Sequence, residues 1–389
     1  MYPAAGRQDP SNGGNHRVIG DVVGDLGPTL LCIGALHGNE PAGVIALGRV
    51  FAQLAAESPP IEGEFVGIAG NLTALAKRQR YVDHDLNRCW TNDRIEHLRH
   101  SDERSAGSAV EDSELLGILG VVEEAVARAR GDVFVLDLHT TSGDSPSFGT
   151  VADTLRNRAF ALHFPVPMIL GLEEHLDGTF LEYANDRGYV TMGFEGGRHD
   201  DPMSIDRVEQ CIWVGLEAAG ILPDQEGMPQ IRMARTELSS VGDRFPRVLE
   251  VRHRHAVTEG DGFRMEPGFA SFQPVRAGQL LAHDRSGSLT AFENGRVLMP
   301  LYQSQGEDGY FLMREFSGIW LTLSTALRVL HFDSLLRLLP GVRRSPADPN
   351  TLIINRRIAR WFALQVAHLV GYRKQRMDGE ELVVTRRPE

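Results

Sequence analysis

Cysteine is scarce in this 389-residue chain: Cys32, Cys89 and Cys211 are too few and too scattered for a disulfide framework. Positive charge is also short. The 40 Lys and Arg stand against 52 Asp and Glu, and a net charge of −12 repels phosphates and argues against a general nucleic-acid binder. No apolar run approaches bilayer-spanning length, so no transmembrane segment is expected. Met1–Asn15, rich in Gly, Pro, Asn and Ala, lacks the hydrophobic segment of a signal peptide. A cytoplasmic protein is what remains. Its 42% hydrophobic and 24% charged residues suit packed cores, and its length suits two to three units.

Residues 1–15 read as a flexible tail. From 16 to 228 strands alternate with helices. His16–Val23, Thr29–Gly34, Glu64–Ala69, Val133–Leu138, Pro167–Leu170 and Tyr189–Phe194 read as strands, and Pro41–Leu54, Ser113–Arg130, Thr179–Arg187 and Met203–Ala219 as helices. The alternation predicts an α/β domain, an at least partly parallel sheet covered by helices on both faces. Asn92–Asp112 reads as a solvated loop, because its charges alternate in sign around few apolar anchors. After the linker-like PDQEGMPQ, short strands between Gly turns predict a small β-rich domain over 229–318. Residues 319–389 read as a mainly helical, basic extension. From residue 320 onward the charge is +6, leaving −18 for the rest. Arg356, Arg357 and Arg360 beside Ile353, Ile358, Trp361 and Phe362 predict an amphipathic helix packed on the body, in preference to one lying on a membrane.

Three strand ends carry the chemistry. In LCIGALHGNEPAG (Leu31–Gly43) a buried strand runs into a Gly-rich turn bearing His37 and Glu40. The H-x-x-E spacing alone means little, since His100 and Glu103 repeat it in a polar stretch. The strand-to-turn setting gives it weight. In GDVFVLDLHTTSG (Gly131–Gly143) another apolar strand delivers His139 at its end, and ligands of open α/β sheets gather at carboxyl ends of strands. His37, Glu40 and His139 make a His₂Glu set that leaves one position for water, as in catalytic zinc sites. Asp137 shares a strand face with His139; it orients that ligand, or it is a buried acid bonded to backbone, and both readings stay open. In YVTMGFEGGR (Tyr189–Arg198) Glu195 ends a third strand and is placed as the general base. RYVDHDLNR puts Arg80, Asn87 and Arg88 on one short segment, a donor set suited to a carboxylate. Tyr183 and Arg187, four apart on a helix, are expected as a second clamp. His253 and His255 lack a carboxylate or cysteine partner at a familiar spacing, and Cys89 lacks a matched base, so both are set aside.

Together GALHGNEPAG, RYVDHDLNR, DLHTTSG and YANDR…FEGG resemble the aspartoacylase/succinylglutamate desuccinylase family, zinc amidohydrolases related to the zinc carboxypeptidases, over about residues 16–316. The resemblance implies that the α/β domain is a zinc-carboxypeptidase-like catalytic domain with a mixed sheet flanked by helices. It also implies one Zn²⁺ per chain on His37, Glu40 and His139, Glu195 as the catalytic carboxylate and Arg80 as the oxyanion-stabilising arginine. Substrate contacts would fall on Asn87, Arg88, Tyr183 and Arg187. The family's substrate-contacting tyrosine from the β domain falls on Met299, with Tyr302 close but out of register, so N-acetylaspartate itself is not implied. The resulting expectation is a zinc-dependent deacylase acting on the amide, or an ester, of a small carboxylate-bearing acylated substrate, with homo-oligomerisation left open. The rivals are a metallocarboxypeptidase acting on a peptide C-terminus and a non-catalytic carboxylate-binding protein.

Overall fold

The computed structural model describes residues 16–100, 109–222 and 228–332, and beyond these 336, 339–346, 348, 350–355, 367, 369–378 and 381–387. The expected tail 1–15 lies outside the described residues. The chain begins with β1 (Val18–Val23), β2 (Asp25–Gly34), α1 (Ala42–Glu57), β3 (Glu62–Ala69), α2 (Leu72–Lys77), α3 (Asn92–His100) and α4 (Val110–Arg128). It continues through β4 (Val133–Thr141), β5 (Phe148–Val151), α5 (Leu155–Ala161), β6 (Met168–Leu170), α6 (Phe180–Asp186), β7 (Val190–Arg198), α7 (Met203–Ala218) and α8 (Pro229–Gly242).

At the centre β2, β3, β4 and β7 pair in parallel. Gly34 stands opposite Ala69 and Leu138, and His139 opposite Glu195. The alternation of side chains along each strand feeds two cores. Leu30, Cys32, Leu136 and Leu138 pack with α1, α7 and α8, whereas Leu31, Ile33, Val133 and Val135 pack with α4 and α6. Helix α1 buries Ala46, Leu47, Val50, Phe51 and Leu54 at helical spacing, and its start presses on the end of β2. A Cβ on Gly43 would come within 2.8 Å of the Gly34 Cα, so this approach requires glycine at both positions. That contact fixes the turn between them.

The sheet does not stop at the expected linker. Helix α8 occupies the start of the segment expected to be β-rich. Strand β8 (Val248–Ala256) then pairs in parallel with β6 and extends the same sheet. Beyond it come β9 (Arg264–Met265), β10 (Pro274–Val275), β11 (Leu280–Asp284), β12 (Gly287–Thr290), β13 (Gly295–Leu298) and β14 (Asp308–Glu315). Eleven strands form one mixed sheet in the order β1-β3-β2-β4-β7-β5-β6-β8-β14-β13-β10, with β9, β11 and β12 in a small separate sheet.

Two expectations are corrected. Residues 92–100 form α3 and are not a loop; Ile95 is its only buried residue, so no apolar periodicity marks it. The extension opens with α9 (Gly318–Val329), and among the described residues Ala367 and Leu369 are also helical. After α9, β15 (Val342–Arg344), β16 (Thr351–Asn355), β17 (Tyr372–Asp378) and β18 (Glu381–Arg386) form a four-stranded sheet. Leu352, Ile354, Leu382 and Val384 point to one small core, but the apolar Ile353 and Val383 between them mask the two-residue period. The expected helix around Arg356, Arg357 and Arg360 lies outside the described residues, although Ile353 belongs to β16.

Candidate active site

His37 and Glu40 sit in the turn between β2 and α1, and His139 stands near the carboxyl end of β4. The parallel register brings these strand ends together, and one ligand atom from each side chain lies within 4.8 Å of the others. Glu40 spans the two rings: Oε1 is 3.0 Å from His37 Nδ1 and Oε2 is 3.0 Å from His139 Nδ1, while Thr140 N–H donates to Oε2 at 2.9 Å. Each imidazole rests its other nitrogen on a carboxylate of its own. His37 Nε2 lies 3.0 Å from Asp85 Oδ1, and His139 Nε2 lies 2.9 Å from Asp137 Oδ2. Such carboxylates fix the tautomer and ring orientation of metal-ligating histidines. Two imidazole nitrogens and a carboxylate oxygen are donors zinc accepts, so the residues fit a divalent ion.

The electrostatics follow from these contacts. Burial opposes ionisation of Glu40, yet the His37 charge and the His139 hydrogen bond hold its carboxyl well below the usual range. His139 is buried too, and the Asp137 carboxylate raises it well above ordinary imidazole. Burial is outweighed again at Asp85, which Arg80 and His37 hold low. Glu195 behaves oppositely. Burial pushes its carboxyl up to about 8, with His139 pulling it down and Glu40 and Asp137 pushing it further up. Its Oε2 is buried with no hydrogen-bond partner among the described residues.

The segment carrying Arg80, Asn87 and Arg88 is strapped down by Glu111, from the first turn of α4. The Glu111 carboxylate accepts from the backbone N–H groups of Val82 at 2.7 Å and Asp83 at 3.0 Å, and from the Asn71 amide at 3.0 Å. Arg80 donates through Nε and Nη2 to Asp85 Oδ2 at 3.1 and 2.9 Å. Arg88 Nη2 donates to Asp308 Oδ2 at 2.8 Å, which ties this segment to β14. Asn87 Oδ1 accepts Phe180 N–H at 2.8 Å. All three residues line one open cleft, about 910 Å³ with the solvent at its mouth included, with His37, Glu40, His139 and Glu195.

Tyr183 and Arg187 do not line that cleft. Their shared helix face turns to the α4 side of the sheet: the buried Tyr183 ring packs 5.3 Å from Trp90, and the Arg187 guanidinium lies 3.5 Å over the Tyr183 ring centre. The expected second clamp is corrected accordingly, and from α6 it is Leu181 that reaches the cleft. Tyr302 is also elsewhere, donating to Glu266 O at 2.8 Å and accepting from Phe269 N at 2.9 Å, whereas Met299 and Gln303 do line the cleft. Burial pushes the Cys89 thiol up to about 11, which suits a bystander. Asp85, inside RYVDHDLNR, carries no site expectation in the sequence, yet its carboxylate lies between His37 and Arg80. Sequence reasoning also missed His199, one residue past YVTMGFEGGR, whose Nδ1 is 2.7 Å from Thr140 Oγ1 on the cleft wall.

Residues 26–192 match the model of the succinylglutamate desuccinylase/aspartoacylase catalytic domain. Solved structures agree on the fold. The succinylglutamate desuccinylase/aspartoacylase from Rhodobacter sphaeroides is 20% identical with a TM-score of 0.55, over 77% of this chain and 88% of that one. Succinylglutamate desuccinylase from Vibrio parahaemolyticus is 14% identical with a TM-score of 0.54, over 76% and 86%. The product-bound ectoine utilization protein EutE (DoeB) from Ruegeria pomeroyi is 21% identical with a TM-score of 0.54, over 76% and 87%. Among curated proteins no sequence matches the chain. No helix among the described residues is long and apolar enough to cross a membrane.

Proposed function

We propose that the protein is a zinc-dependent deacylase that hydrolyses the amide bond of an N-acylated amino acid or related small carboxylate. The observation that carries this reading is the convergence of His37, Glu40 and His139, with Asp85 and Asp137 behind the two imidazoles. Zinc held by these three residues would polarise the acyl carbonyl and acidify an attacking water. Glu195, with a buried and unpartnered oxygen beside this set, takes the proton from water and returns it to the departing amine. Arg80 stands ready to donate to the developing oxyanion. Asn87 and Arg88 hold the substrate carboxylate.

In this reading residues 16–228 supply the chemistry and 229–318 narrow the entrance, because Met299, Leu301, Gln303, Glu307 and Asp308 form a wall of the cleft. That wall, tied to Arg88 through Asp308, favours a small acylated substrate over a peptide end. Three free, buried thiols suit a cytoplasmic setting. The test is turnover of a panel of N-acyl amino acids by the zinc-loaded protein. Glu195→Gln should lower kcat by about 10²–10⁴-fold with metal content unchanged. Near-normal turnover in that variant would remove the general base.

A further inference from the structure

We infer that the substrate is an N-acylated α-amino acid with an apolar side chain, and this inference rests on the deacylase reading above. The cleft has donors for one carboxylate. Arg80 is engaged by Asp85, and Arg88 by Asp308, a carboxylate that Arg254 also pairs with. What remains for a hydrogen bond is Arg88 Nε, buried without a hydrogen-bond partner among the described residues although Glu307 Oε2 lies 3.7 Å from it, beside Asn87, which spends its side-chain oxygen on Phe180 N–H and keeps its NH₂ group. Those donors serve one carboxylate. A second has no cation waiting for it among the described residues of the cleft.

The walls point the same way. Where a second clamp was expected, Tyr183 and Arg187 have turned outward, and Leu172, Leu176 and Leu181 line the cleft instead. Met299 and Leu301 face in from the segment between β13 and β14. The acidic residues in these walls, Glu173, Glu307 and Asp308, add no donor for a further anionic group. At Glu173, Asn185 and Arg387 both donate to Oε2 at 3.0 Å, so that oxygen is spent, while Oε1 has no hydrogen-bond partner among the described residues. A carboxylate side chain would lose its hydration there without gaining a partner, whereas an apolar one gains by leaving water.

The test compares kcat/KM of the zinc-loaded protein for N-acetyl-L-leucine, -methionine, -lysine, -aspartate and -glutamate. The leucine and methionine compounds should exceed the acidic ones by roughly a hundredfold. Leu176→Arg should raise the aspartate-to-leucine ratio by about tenfold, and Leu176→Met should leave it unchanged. Calorimetry with free L-leucine and L-aspartate removes dependence on the acyl group, and leucine should bind more tightly. Equal or better use of the aspartate, glutamate or lysine compounds would overturn the inference while leaving the deacylase reading intact. Absence of turnover and of amino-acid binding throughout would remove that reading, and this inference with it.

Discussion

Two carboxylates flank His139 and titrate in opposite senses. Glu40 accepts from both imidazoles and from Thr140 N–H, and it stays ionised although buried. Glu195 is the register partner of His139 on the adjacent strand, and burial pushes it to about 8. Environments that separate two carboxylates in this way suit them to separate roles, in the proposed reading one a ligand and one a proton carrier. Asp85 links His37 to Arg80, so in the proposed reading it orients a zinc ligand and the oxyanion donor at once. Asp85→Asn should weaken zinc binding by about 10–100-fold, read by competition with a chromophoric chelator. Unchanged affinity would mean that the Asp85–His37 contact orients nothing.

At the scale of elements, the site depends on α4. Glu111 and Glu114 reach from its first turns to the preceding chain. Glu111 holds the backbone of Val82 and Asp83, and Glu114 accepts from Thr73 N–H at 2.9 Å and from the Thr73 hydroxyl at 2.6 Å. Both carboxyls sit below their ordinary range: burial opposes this, but hydrogen bonds from Val82 and Asn71 at Glu111, and from Thr73 and Arg17 at Glu114, outweigh it. Their folded pKa therefore lies below the unfolded one. The stability they contribute is present above about pH 4.3 and is lost as pH falls through the folded value. Glu111→Gln should cost about 1–3 kcal/mol at pH 7, measured by denaturant unfolding, and the deficit should shrink toward pH 3. A deficit independent of pH would show that the charge is not what straps the segment.

The same elements explain what was legible in the sequence. His37, His139 and Glu195 were readable as neighbours because each stands at or just past the end of an apolar run in a strand, and parallel strands put their carboxyl ends at one edge. Tyr183 and Arg187 were misplaced because a spacing of four states that two residues share a helix face, not which way that face turns. Asp85 lies in an irregular stretch, where no period announces direction. Helix α3 escaped because a single buried residue, Ile95, leaves no pattern. The last sheet escaped because β16 and β18 are apolar on both faces near their centres.

Across the whole molecule, the C-terminal segment is fastened to the catalytic sheet by charge. Arg328 of α9 is buried against Asp153, with Nη2 2.9 Å from Oδ2 and Nη1 donating to the Asp153 carbonyl at 2.7 Å, and Arg158 pairs with the same carboxylate. Arg387 reaches Glu173, which also lines the cleft. Removing one partner of a buried pair leaves the other desolvated. Arg328→Ala should destabilise the protein by roughly 3 kcal/mol in denaturant unfolding. A change within a few tenths would mean that the segment is held by something other than this contact.

In the proposed reading His37, Glu40 and His139 hold one divalent ion. Elemental analysis of protein purified without added metal, with a His37→Ala, His139→Ala double variant alongside, is the decisive measurement. Close to one zinc per chain is expected in the parent and almost none in a variant that remains folded by circular dichroism. Equal metal in both, or none in the parent even after incubation with zinc, would contradict that reading.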